Sequence, residues 1–210
     1  MNGAYALAAE ISVDKLSMPL LARKLDVGVM SMYNYFGSKD EILEAMRKRA
    51  LEQYEIAMPF TGEGEWHESL REHFIVMRDL FRENPVLCDL LAVGTSIAPN
   101  FYHVVGERIE AIVATLVDAG FTADDALKTY QSLALHSRGF AVLERIAHLD
   151  AESPLPERST VAIDADAMPI LAGLVEGGRS LDLVQDGLFE LGLDALIDRA
   201  RRRLAATADH

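Results

Sequence analysis

Residues 17–39 read SMPLLARKLDVGVMSMYNYFGSK, and this stretch decides the fold. It predicts two short helices joined by a tight turn. Ser17 is a good N-cap, and Pro19 falls in the first turn, where its missing N–H costs nothing. Leu20, Leu21 and Leu25 put apolar groups on one face, and Ala22 is small enough for a close helix crossing. The helix is expected to stop at Asp26-Val27-Gly28, with Gly28 supplying a backbone conformation that other residues resist. A two-turn helix, 29–35, follows. Met32 and Phe36 face the core at i, i+4, while Ser31, Tyr33, Asn34 and Tyr35 look outward or flank that face. Ser38-x-x-Glu41 is a capping-box signature that opens a third helix. This is the helix-turn-helix arrangement, in which the second helix enters the DNA major groove.

Charge is distributed to match. The chain of 210 residues carries a net charge of −13, yet residues 15–49 hold seven basic and four acidic side chains. A mildly basic head on a strongly acidic body suits a protein that meets DNA with one face only. Half of the residues are hydrophobic, enough for a sizeable core, and no apolar run approaches the roughly 18 residues of a spanning helix. The start, MNGAYALAAEISVD, has neither a basic region nor a long apolar one, so no signal peptide and no membrane partner are expected. Cys88 is the single cysteine, which excludes an internal disulfide and fits a reducing cytoplasm. Its neighbours Leu87, Leu90 and Leu91 mark it as a small buried hydrophobe.

The rest of the chain reads as helices. The first spans 4–10, and the one opening at Lys39 runs to about Ala57, where Met58-Pro59 and Thr61-Gly62-Glu63-Gly64 break it. In 65–83, Trp66, Leu70, Phe74, Met77 and Phe81 recur at helical spacing. A short apolar helix over 86–93 should stop at Gly94-Thr95. Pro99 opens another helix, which Ala119-Gly120 closes, and Thr122-x-x-Asp125 caps a long one. Residues 150–169 form the one clear loop, long enough to be mobile. A short helix over 168–175, a Gly177-Gly178 turn and a final helix capped by Ser180 complete the chain. The fold class is therefore all-α: a three-helix head at 1–49 and an α-helical regulatory body at 50–210.

Catalytic and metal chemistry find no support. His67-Glu68 is followed next by His73, which breaks the i, i+4 spacing of a zinc-binding helix. There is no Gly-x-Ser-x-Gly elbow and no phosphate loop, so no catalytic residue, metal or cofactor is assigned. His73, His136 and Glu144 are polar residues on apolar helix faces.

Leu16-Ser17-Met18, Leu21-Ala22-Arg23-Lys24-Leu25, Val27-Gly28, Tyr33, Phe36 and Ser38-Lys39-Asp40-Glu41 resemble the N-terminal domain of tetracycline-repressor (TetR) family regulators. Trp66-x-x-x-Leu70-Arg71, Val93-Gly94-Thr95, Ala119-Gly120-Phe121, Asp125-Ala126-Leu127, Val142-Leu143-Glu144 and Met168-Pro169 resemble, in order, the regulatory domain of the tetracycline repressors themselves. The resemblance implies a homodimeric repressor of a palindromic double-stranded DNA operator, released by a small-molecule effector. It assigns base-edge or groove contacts to Val29, Met30, Ser31, Asn34 and Tyr35, and phosphate contacts to Ser17, Tyr33 and Lys39. Met18 and Pro19 stand beside these in the first turn. The head begins close to Met1: either the start is truncated or the basic arm that the family carries ahead of it is absent, which weakens the expected phosphate contacts.

By the same resemblance, Glu55, His73, Met77, Ala92, Thr95, Ile112, His136 and Glu144 line the effector pocket, with Arg138 close by. Ala92 stands where the tetracycline repressors bind magnesium through a histidine, and Ile112 falls near a glutamine of theirs. Glu55 stands where they have a histidine and His73 where they have an asparagine. These changes imply a drier cavity and a largely apolar effector other than magnesium-tetracycline. Dimerisation is expected through 123–147 and 180–204. Two other readings stand beside this one: a helical enzyme or carrier with a non-functional head, and a repressor that answers to a partner protein.

Overall fold

The computed structural model describes residues 2–58, 60, 62–93, 101–151 and 163–208. The head comprises α1 (Asn2–Ile11), α2 (Met18–Lys24) and α3 (Val29–Tyr35), and α4 (Lys39–Ala57) leads out of it. Among the described residues there is no strand.

Local chemistry sets these boundaries. Ser17 caps α2, its hydroxyl oxygen accepting from the Leu20 N–H at 3.4 Å. The turn after α2 differs from expectation. Gly28 is extended, at φ −66° and ψ 142°, and the left-handed residue is Asp26, at φ 54°. The Val27 N–H donates to the Ala22 carbonyl at 3.0 Å and the Asp26 N–H to the Arg23 carbonyl at 3.3 Å. This is a Schellman ending, which needs its left-handed residue two positions before Gly28. Aspartate tolerates that conformation because its side chain is short and polar.

Ser38 caps α4 through the Glu41 N–H at 3.2 Å, but the Glu41 carboxylate reaches back to the Gly37 N–H at 2.8 Å instead of to Ser38. Leu7 and Ala8 of α1, Leu21 and Ala22 of α2, Met32 of α3 and Met46 of α4 form the head core. Leu25 is only half covered, lying over Gly3, where a Cβ would stand 2.4 Å from its Cδ2.

The body contains α5 (Trp66–Glu83), α6 (Pro85–Cys88), α7 (Phe101–Asp118), α8 (Ala123–Ala151), α9 (Pro169–Glu176) and α10 (Asp186–Ala208). The single helix expected over 86–93 is in fact α6 followed by a π-helical turn, Asp89–Val93. Gly94, Thr95 and Pro99 lie outside the described residues. Gly120 ends α7 at φ 106°, a value open to glycine, and the Thr122 hydroxyl caps α8 by accepting from the Asp125 N–H at 3.2 Å.

Asp150 and Ala151, expected in the loop, still belong to α8, and 152–162 lie outside the described residues. Ser180 does not cap the last helix. Its hydroxyl closes a local turn with the Asp182 N–H at 3.1 Å, and α10 begins only at Asp186.

Helix α8 is the spine of the body, with α5, α7 and α10 packed against it. The head meets the body where α1 touches α6, and α4 runs along α7 and the π-helical turn. Cys88 is 1% exposed, and burial pushes its thiol up to about 12, so it is an inert core group.

Candidate nucleic-acid interface and ligand site

Helix α3 has seven residues, VMSMYNY, and the helical period sorts them into two faces. Met32 points inward and is 4% exposed. Met30, Ser31, Asn34 and Tyr35 share the outer face, with Met30 77% and Tyr35 82% exposed. Val29 and Tyr33 flank it, both partly exposed. Such large apolar groups held in water on a rigid helix mark a surface built to be covered.

The surrounding groups are polar or basic. Ser17 is half-buried at the start of α2, and its O–H remains free to donate while its oxygen caps the helix. Lys39, at the start of α4, donates to the Asp14 carbonyl at 2.8 Å, which fixes the ammonium and leaves its other protons for a ligand. Lys24 pairs with Glu10 at 2.5 Å, and Lys15 and Arg23 are exposed. Pro19 is exposed and has no N–H to give. Met18 differs from its neighbours on this surface. Its side chain is 5% exposed, within the head core, which leaves its backbone N–H in the first turn as the group for a phosphate.

The eight residues assigned to the effector pocket fall into two groups. The first lies among α4, α5 and α7. His73 sits edge-on to Phe60 and Phe74, with ring centroids 5.6 and 5.1 Å away. Burial, with the Arg108 guanidinium nearby, pushes His73 down to about 4, so it is neutral at pH 7. Arg108 lies over the Tyr54 ring at 4.6 Å, and Tyr54 stacks on Phe81. Met77, one turn after His73, and Ile112, one turn after Arg108, are fully buried. Ala92 is half-buried on the π-helical turn. Thr95 and the side chain of Glu55 lie outside what is described.

The second group lies among α5, α8 and α10, and its polar atoms are already engaged. Both Glu144 oxygens accept from Arg78, at 3.1 Å from Nε, and Arg78 also bonds Asp186 at 2.5 Å. The Arg78 guanidinium stands 4.4 Å from the Phe189 ring centroid and 4.9 Å from that of Phe140. His136 Nε2 is 2.9 Å from the Phe189 carbonyl. A Cβ at Gly192 would stand 2.4 Å from the His136 ring, so glycine there lets α10 approach α8 closely. Glu144 and His136 thus have partners within the chain, on α5 and α10.

A groove of about 220 Å³ between α8 and α10 is lined by Lys128, Thr129, Ser132, Arg199 and Arg203 among others, and by none of the eight. Arg78 and Arg108 went unremarked in the sequence; each is an arginine set into an otherwise apolar helix face. A second such pair is Arg145, which holds Asp89 with two bonds at 2.8 and 3.0 Å. Among the described residues no group of three His, Cys, Asp or Glu side chains could hold a metal ion, and no helix is long and apolar enough to cross a membrane.

The geometry of the head is that of a helix-turn-helix regulator: a capped helix, a Schellman turn and an exposed second helix. The family model described as bacterial regulatory proteins, tetR family, matches residues 1–46, and that of the tetracyclin repressor-like C-terminal domain matches 58–202. The chain belongs to the TetR family of bacterial transcriptional regulators. It is 38% identical to the HTH-type transcriptional repressor Rv1353c of Mycobacterium tuberculosis, over 96% of this chain and 78% of that protein. A possible TetR family transcriptional regulator from Streptomyces coelicolor is 28% identical, covers 96% of both chains and superposes with a TM-score of 0.71. The S. coelicolor TetR family protein ActR in complex with actinorhodin is 25% identical, with 96% of this chain and 94% of that one covered and a TM-score of 0.64.

Proposed function

We propose that the chain is a ligand-responsive repressor that binds a palindromic operator as a homodimer and is released by a small, largely apolar effector. The observation that carries this reading is the outer face of α3: Met30 and Tyr35 held in water, Asn34 between them, and basic residues around them. Residues 1–49 act as the DNA-reading head and 50–210 as the regulatory and dimerisation body.

The dimer reading is supported by the outer faces of α8 and α10. Leu135 is 75%, Leu191 66% and Leu188 41% exposed, more apolar surface than one protomer covers. Two such helix pairs make a four-helix bundle across a two-fold axis.

The effector reading is supported by the packing of His73, Met77 and Ile112, a largely apolar region in which the imidazole is neutral at pH 7 and the nearby cation is Arg108. The structure of ActR in complex with actinorhodin supports a ligand-binding role for the body. Occupation would move α4, which runs from the head along α7 and the π-helical turn, and so change the head separation. Magnesium-tetracycline is not the effector, because Ala92 offers no lone pair to a metal and Glu144 is engaged by Arg78.

A gel shift on DNA flanking the protein's own gene tests the reading. A discrete complex that survives competitor DNA at moderate salt is expected. Binding with no site preference would sink the repressor reading and favour a helical binding protein with a non-functional head.

A further inference from the structure

We infer that the operator half-site carries an A·T block under α3, read through thymine methyl groups and one adenine, with no bidentate guanine contact from this helix. The inference rests on the operator-binding reading above and deepens it. No residue of α3 is charged. The outer face offers two large apolar groups, Met30 and Tyr35, a carboxamide, Asn34, and a hydroxyl, Ser31. In the major groove the commonest guanine reader is a bidentate arginine or lysine, and none is present on this face. What an apolar side chain can read there is the thymine C5-methyl, and what a carboxamide reads bidentately is adenine N6 and N7.

The basic residues that surround the face do not supply the missing reader. Lys39 is fixed to the Asp14 carbonyl at 2.8 Å and Lys24 to Glu10 at 2.5 Å. Arg23 lies in the last turn of α2, the helix that crosses the phosphate backbone in this motif. The first turn of α2, which also approaches the groove, offers buried Met18, ring-closed Pro19 and half-buried Leu20. The charged groups therefore hold phosphates, and the uncharged face alone meets the bases. A seven-residue helix is about 10 Å long. With about 3.4 Å per base step, the block covers about three base pairs.

Selection from random duplexes with the full chain, followed by thymine-to-uracil replacement in the selected half-sites, tests this. Removing the methyl leaves every hydrogen-bonding group in place. A methyl contact contributes roughly what a buried methylene does, so one replacement under α3 should weaken binding about fourfold. Met30→Ala, at an exposed position that does not affect folding, should give a similar loss on the thymine site and little further loss on the uracil site it contacts. Enrichment of an invariant G·C pair at the centre of the α3 footprint, or indifference to uracil throughout the half-site, would overturn the inference while leaving the repressor reading intact. Failure to enrich any motif would instead overturn both.

Discussion

Two side chains of the head test the holding of DNA apart from the reading of it. Lys39 stands at a helix start with its ammonium fixed. Lys39→Ala should weaken binding on all duplexes alike and reduce the slope of log affinity against log salt by about one. Asn34 is exposed on α3 and bonds nothing in the head that folding needs. Asn34→Ala should cost about 1–3 kcal/mol on the preferred site, little on random DNA, and leave the salt slope unchanged. Titrations on specific and random duplexes at three salt concentrations measure both.

In the body, His73 gives a pH signature. Its ordinary value is near 6.5 and burial lowers it to about 4. The unfolded chain therefore takes up a proton that the native chain refuses as pH falls below about 6.5. Stability is fully present above that value and is lost down to about pH 4, by about 3 kcal/mol. Thermal melts at pH 7 and 4.5 should show this loss reduced in His73→Leu; an unchanged difference between the two pH values would show that His73 is not buried as neutral imidazole.

At the scale of the element, the turn after α2 shows how far sequence carries. Ser17, Pro19 and Ser38 announced their helices because a cap is local chemistry, decided within four residues. The turn residue was misread because glycine is the usual left-handed residue, whereas the hydrogen-bond count of the Schellman ending puts Asp26 there. Asp26→Val should destabilise the head by about 1–2 kcal/mol and Asp26→Gly should be near neutral, measured by denaturation.

The α3 face was legible for the same local reason. The body was less so, because Glu144 and His136 look like pocket groups until their partners on α5 and α10 are known. Those partners, Arg78 and Phe189, lie 66 and 53 residues away in the chain. The burial of the Met18 side chain was not legible, because position in a first turn does not tell which way the side chain faces. With both Glu144 oxygens on a buried arginine, Glu144→Ala leaves that charge to Asp186, which is largely exposed. The expected loss is about 3 kcal/mol, read as a lowered denaturation midpoint.

The whole molecule is an acidic body that carries a basic-edged head, and the proposed activity requires two copies acting together. The leucines outside α8 and α10 are the surface that sets this. Leu191→Glu should give a folded protomer with half the native mass by light scattering, because Leu191 is 66% exposed and is not needed within the chain. Obligate interfaces of this kind bury roughly 2,000 Å² or more, and a charge at the centre of such a face meets its own copy across the axis. A single head has too few phosphate contacts to hold a site at moderate salt, so the same change should abolish operator binding with α3 intact.

The most direct test of the central claim is the mass of the complex formed on a selected duplex, measured by analytical ultracentrifugation with and without an apolar ligand that raises the melting temperature. The account predicts two protomers on one duplex carrying a palindrome, with half-sites about one helical turn apart, and free duplex once the ligand is added. One protomer per duplex, or a complex whose mass the stabilising ligand leaves unchanged, would contradict it.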